Sequence, residues 1–146
     1  MTRQQINPWT WQDKLGYSQA WKVDAAQSIV FLAGQAPISP EGQLIGEGDF
    51  EAQTRQVFEN LSTVLGQSGA SFEAIVKMTV YLTDTTKLLD YARVKADYIH
   101  GAQPASTAIG VASLALPGMM IEVDATAVLC PDPSPADRRP SRARAA

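Results

Sequence analysis

Residues 75–111, IVKMTVYLTDTTKLLDYARVKADYIHGAQPASTAIGV, decide the fold. Over Ile75–Thr83, Val76, Met78, Val80 and Leu82 alternate with Lys77, Thr79, Tyr81 and Thr83, the period-two pattern of a half-buried strand. The spacing then becomes helical over roughly Thr85–Ile99, with Leu88, Ala92 and Tyr98 predicted to face inward. A second strand is predicted at Ala105–Val111, just past Pro104. Strand, helix, strand in this order predicts a parallel pair joined by a right-handed crossover.

Working outward, the turn at Pro117-Gly118 introduces a closing strand near Met119–Leu129. There Ile121, Val123, Ala125 and Ala127 share one face, and Glu122, Asp124 and Thr126 the other. In the other direction, a helix is predicted to start at the N-cap Asp49, with Glu51 in its first turn, where the helix dipole favours an anion. Phe50, Val57, Phe58, Leu61, Val64 and Leu65 form its apolar stripe, and Gly66 or Gly69 ends it. The glycine-rich stretch Pro37–Gly48 reads as loop. Before it, Ser18–Val23 and Ile29–Gly34 read as short strands in a hairpin, with the turn at Asp24–Gln27. Residues 1–16 read as polar and irregular. The order β-β-α-β-α-β-β predicts an α+β domain over residues 1–130, a mixed sheet with both helices on one face. Residues 131–146, PDPSPADRRPSRARAA, hold no aliphatic side chain larger than alanine and are predicted to be a disordered tail.

The chain's net charge of −3 is unevenly spread. Residues 131–146 carry four arginines and two aspartates, a net +2, which leaves −5 on the rest. An acidic body argues against a nucleic-acid partner, since phosphate neutralisation supplies most such affinity. The lone Cys130 excludes an internal disulfide and suits a reducing compartment, so the cytoplasm is expected. No apolar run approaches the ~18 residues of a membrane span.

The polar face of the closing strand is the strongest candidate for chemistry. Carboxylates at i and i+2 stand about 7 Å apart on one strand face, so in a partly dry site one of Glu122 and Asp124 would titrate high and serve as an acid or base; an exposed polar face is the other reading. The Ser106 and Thr107 hydroxyls are candidate ligand donors or ordinary strand hydroxyls. His100, the single histidine, reads as the end of the second helix, and with no Cys/His cluster no metal or cofactor is expected. Gly34 and Gly110 lack phosphate-loop spacing and read as bulges or close backbone approaches. Trp9, Trp11 and Trp21 read as core or interface packing, with a ligand wall as the alternative. Cys130 reads as a bystander thiol.

Taken in order, Tyr17-Ser18-Gln19-Ala20, Gly34-Gln35, Gly48 to Thr54 (GDFEAQT), Ile75-Val76-Lys77, Thr83-Asp84 and Ile121-Glu122-Val123 resemble the Rid/YjgF family of reactive-intermediate deaminases. The resemblance spans about residues 16–129. It implies a chorismate-mutase-like fold and a homotrimer with small-molecule clefts between neighbouring subunits. It also implies metal- and cofactor-free hydrolysis of enamines and imines. By this resemblance Tyr17 lines the cleft, Gly34 is the loop glycine and Glu122 helps activate water.

The family arginine does not carry over: Ser106 stands in its place within Pro104-Ala105-Ser106-Thr107. Ala33 likewise replaces the usual serine, and Lys95 stands where asparagine is common. A serine hydroxyl offers one neutral donor and cannot replace a bidentate guanidinium. Two readings follow: a deaminase-like hydrolase weak on standard 2-imino acids, with Glu122 as acid/base and Tyr17, Gly34, Ser106 and Thr107 around the ligand, or a non-catalytic metabolite- or partner-binding trimer.

Overall fold

The computed structural model describes residues 2–11, 13, 16–101 and 103–129. Cys130 and the predicted tail lie outside the described residues. The elements are β1 (Thr2–Ile6), β2 (Ala20–Asp24), β3 (Ser28–Gln35), α1 (Phe50–Gln67), β4 (Ile75–Leu82), α2 (Leu88–Lys95), β5 (Ala105–Gly110) and β6 (Ile121–Leu129). A four-stranded sheet runs β3-β6-β4-β5, and β1 and β2 form a separate pair.

The predicted crossover is present. β4 and β5 are parallel, with Met78 beside Ser106 and Val80 beside Ala108, and α2 lies between them in the chain. β6 is inserted antiparallel between β3 and β4, so its alternation sorts the molecule into two sides. Ile121, Val123, Ala125 and Ala127 are buried under the helices, while Glu122, Asp124 and Thr126 lie half-buried on the opposite face.

The α1 boundaries follow the capping chemistry. The Asp49 side chain accepts from the Ala52 backbone N–H at 3.0 Å, satisfying one of the donors that a helix start leaves free. Val57, Phe58, Leu61 and Leu65 pack into the core. Gln53, fully buried beside them, donates to the Gly46 and Gly118 carbonyls and accepts from the Met120 N–H, which fixes the loops before α1 and β6.

Three expectations are corrected. Residues 2–6, polar but for Ile6, form a strand, β1, exposed at every position; its only signal is its pairing with β2, from Thr2 opposite Asp24 to Ile6 opposite Ala20. The hairpin between the second and third strands is absent: β2 pairs with β1, and β3 with β6. Just ahead of β2, Ser18 forms a parallel bridge with Ala105, which brings this segment against β5. Lastly, α2 ends at Lys95, short of the predicted Ile99, so His100 lies exposed in the following loop rather than at a helix end. The buried side chains of α2 are Tyr91, Val94 and Lys95, while Leu88 and Tyr98 pack at the margin of the core. None of the described helices is long and apolar enough to cross a membrane.

Candidate functional site

Two groups of candidate residues form, one on each side of the sheet. On the helix-free face, the Glu122 side chain lies across the β3 backbone at Gly34. A Cβ placed on Gly34 would meet the Glu122 carboxylate oxygen at 2.0 Å, its carboxyl carbon at 2.9 Å and its Cγ at 3.1 Å. The β3–β6 register shifts between Leu32 and Gln35, so Gly34 sits in an irregularity of the strand. Bulge and close approach therefore coincide there, as the sequence predicted. No described residue hydrogen-bonds the Glu122 carboxylate, so it is free to meet a ligand.

The neighbouring carboxylate is engaged differently. Tyr81 donates its hydroxyl to Asp124 at 2.8 Å, and this bond holds the phenol above its ordinary range. Lys77 donates to the Thr107 hydroxyl at 2.7 Å and to the Met78 carbonyl. Burial lowers the Lys77 pKa, and the nearby Asp124 charge opposes that shift. Thr107, exposed on the edge strand, thus belongs with Lys77 and the helix-free face.

On the helix side, β5 and α2 enclose a cavity of about 160 Å³. Tyr17 and Ser106 line it with Lys95 and Tyr91, and Val80, Leu88, Ala92 and Ala108 make the apolar walls. Leu88, Tyr91, Ala92 and Lys95 share this face because residues three and four apart are neighbours on a helix. Lys95 is 3% exposed and donates to the Gly16 carbonyl. Burial lowers its pKa to about 8. Tyr91 is also buried, its hydroxyl has no hydrogen-bond partner, and burial raises its pKa.

Trp11 packs edge-on against Tyr17, with ring centroids 6.2 Å apart, and stacks with Trp9. Both indoles are more than half exposed, so neither is a core residue; they form an exposed aromatic cluster against Tyr17. Trp21 instead donates to the Gln103 carbonyl at 2.9 Å.

The structure therefore brings Tyr17 together with Ser106, Gly34 with Glu122, and Thr107 with Lys77. It does not bring all five predicted site residues together within one chain. Ser106 stands beside Met78 in the sheet, on the helix side, while Glu122 stands beside Tyr81 on the other. Lys95 and Tyr91 were missed as site residues, although a lysine in register with the inward Leu88 and Ala92 was a legible sign. Among the described residues no group of acidic, histidine or cysteine side chains is placed to hold a metal.

The family model described as Endoribonuclease L-PSP matches residues 12–129. Protein DfrA of Myxococcus xanthus is 43% identical over 115 residues, covering 77% of this chain and 84% of DfrA. A RutC family protein of Pyrococcus abyssi is 40% identical over 111 residues, covering 76% and 84% respectively. Among solved structures, a Rid family protein of Yersinia pestis, YyfB, is 34% identical with a TM-score of 0.79, covering 88% of this chain and all of that one.

Proposed function

Because the chain belongs to the Endoribonuclease L-PSP family, which includes the Rid proteins, we propose that it is a cytoplasmic homotrimer whose clefts, built between subunits, hydrolyse an enamine, imine or related small molecule. The observation that carries this reading is the division of the site residues between the two faces of the sheet. One subunit offers Tyr17 and Ser106; a neighbour's Glu122, held over its own Gly34, completes the cleft. Large apolar side chains left in water on β3, Phe31 at 79% and Ile29 at 55% exposed, add surface that a second copy would cover.

In the proposed reaction, Glu122 takes a proton from water as the oxygen adds to the C=N carbon. It returns that proton to the nitrogen to give a carbinolamine, then passes the hydroxyl proton to the nitrogen as the C–N bond breaks, so that ammonia leaves and the carbonyl forms. Tyr17 and Ser106 orient the substrate. Standard 2-imino acids are poor substrates, because Ser106 offers no bidentate fork to fix the carboxylate in one orientation next to the C=N carbon. The charge of −5 outside residues 131–146 argues against a nucleic-acid substrate.

Two measurements test the reading. Light scattering at micromolar concentration should return about three chain masses, and a clean monomer contradicts the shared cleft. Ammonia release from a panel of enamines and imines should show an acid/base pH profile that disappears in Glu122→Gln. Unchanged turnover in that variant removes Glu122 from the reaction, and no turnover on any member points to the non-catalytic binding trimer.

A further inference from the structure

The cavity between α2 and β5 contains a buried cation that no described residue pairs as an ion. Lys95 is as buried as the core around it and makes no ion pair with any described residue; its one hydrogen bond is to the Gly16 carbonyl. An ammonium has three donors, so two remain for a ligand. Beside it the buried Tyr91 hydroxyl has no partner, and no described residue hydrogen-bonds the Ser106 hydroxyl. Buried charges are normally paired, and buried hydroxyls hydrogen-bonded. Here a buried charge and one buried hydroxyl are left open around one small space, with the half-buried Ser106 hydroxyl on its wall.

We propose that this cavity binds a short-chain monocarboxylate, with the Lys95 ammonium as counter-ion and the Tyr91 and Ser106 hydroxyls as further donors. This deepens the function proposed above: it places the group that holds the substrate's anion on α2, not on β5. One positive charge matches a monoanion, whereas a phosphate dianion would remain half-neutralised. Val80, Leu88, Ala92 and Ala108 suit an aliphatic tail, and a volume of about 160 Å³ limits its length.

Among the described residues, the titratable groups that line the cavity with Lys95 are Tyr91 from its own helix and Tyr17 from the segment ahead of β2, while β4 and β5 contribute Val80, Ser106 and Ala108. Asp13 lines an adjoining groove with Gly16. Affinity for a carboxylate therefore follows the Lys95 charge and falls as pH rises above about 8.

The test is calorimetric or NMR titration of the full chain with butanoate at pH 7. 1-Butanol serves as the neutral control and inorganic phosphate as the dianion. Butanoate is expected to bind at least about ten-fold tighter than either, a preference worth about 1.4 kcal/mol. The preference should vanish in Lys95→Met, weaken several-fold in Tyr91→Phe and shrink in wild type at pH 9.5. The wild-type pH series and Tyr91→Phe decide the matter should Lys95→Met fold poorly. No preference for butanoate over 1-butanol overturns the proposal, as do equal affinity in Lys95→Met, a pH-independent preference or tighter binding of phosphate. Binding is read without turnover, so an inactive protein that prefers butanoate contradicts only the hydrolase reading. Glu122-dependent turnover of neutral enamines without that preference contradicts only the carboxylate site.

Discussion

Replacing Lys95 with methionine should stabilise the protein at neutral pH, and the gain should disappear as pH rises. Burial lowers the Lys95 pKa from 10.5 to about 8, and each pH unit between those values corresponds to about 1.4 kcal/mol. Keeping the buried nitrogen charged therefore costs the folded state on the order of 3 kcal/mol. Below pH 8 both states hold the proton and the cost is present in full. Between pH 8 and about 10.5 the unfolded chain keeps a proton that the folded chain has released, so wild-type stability rises with pH.

Methionine has a similar length and no charge. Allowing about 1 kcal/mol for the lost hydrogen bond to the Gly16 carbonyl, Lys95→Met should be about 2 kcal/mol more stable than wild type at pH 7. By pH 9.5 wild type should recover about 2 kcal/mol and the difference should close. Tyr91, raised by burial, stays protonated over this range; it is present in both proteins, so its effect on the difference cancels. Urea unfolding of both proteins at pH 7 and 9.5, in buffers free of carboxylates, measures the difference directly. A variant less stable than wild type at pH 7, or an advantage that does not change with pH, refutes the argument.

Gly34→Ala should displace the Glu122 carboxylate, because the new methyl would lie 2.0 Å from its oxygen. Turnover should fall toward that of Glu122→Gln while denaturant unfolding changes by less than about 1 kcal/mol, since the atom displaced ends a flexible side chain and the backbone is not left-handed. Ser106→Arg should raise turnover of 2-iminobutanoate by restoring a bidentate fork, at an overpacking cost of about 1–3 kcal/mol against β5 and α2; a folded, inactive arginine variant would mean that the cleft serves another ligand. Removing residues 131–146 should leave the thermal midpoint within about 4 °C, the shift that about 1 kcal/mol produces in a domain this size; a larger fall would show that these residues pack.

The central elements were legible because each carries a pattern that only one environment satisfies. β4 and β6 alternate, α1 has its stripe and its Asp49 cap, and Pro104 separates α2 from β5. β1 was not legible: Thr2–Ile6 has no buried face to imprint a period, and its strand exists only through pairing with β2. The same pairing removed the expected hairpin, because a local turn between two strands does not determine which edge each one takes. The end of α2 was misplaced since residues 96–98 continue as turns and keep the apolar spacing to Ile99 without the helix. At the site, Glu122 and Gly34 were found one by one, but their contact depends on the β3–β6 register. Lys95 was noted only as a departure from the family pattern. Its burial became visible only once α2 was packed against β5.

Complementation tests most directly whether the cleft is shared between subunits. Trimers assembled from equal amounts of Tyr17→Phe and Glu122→Gln chains, each inactive alone, would be assayed on the imine or enamine that the wild type turns over fastest. If one subunit supplies Tyr17 and its neighbour Glu122, random mixing leaves about one site in four with both groups intact, and about a quarter of wild-type turnover should return. Recovery near that level is the predicted result. Mixed trimers as inactive as either parent would contradict the shared cleft.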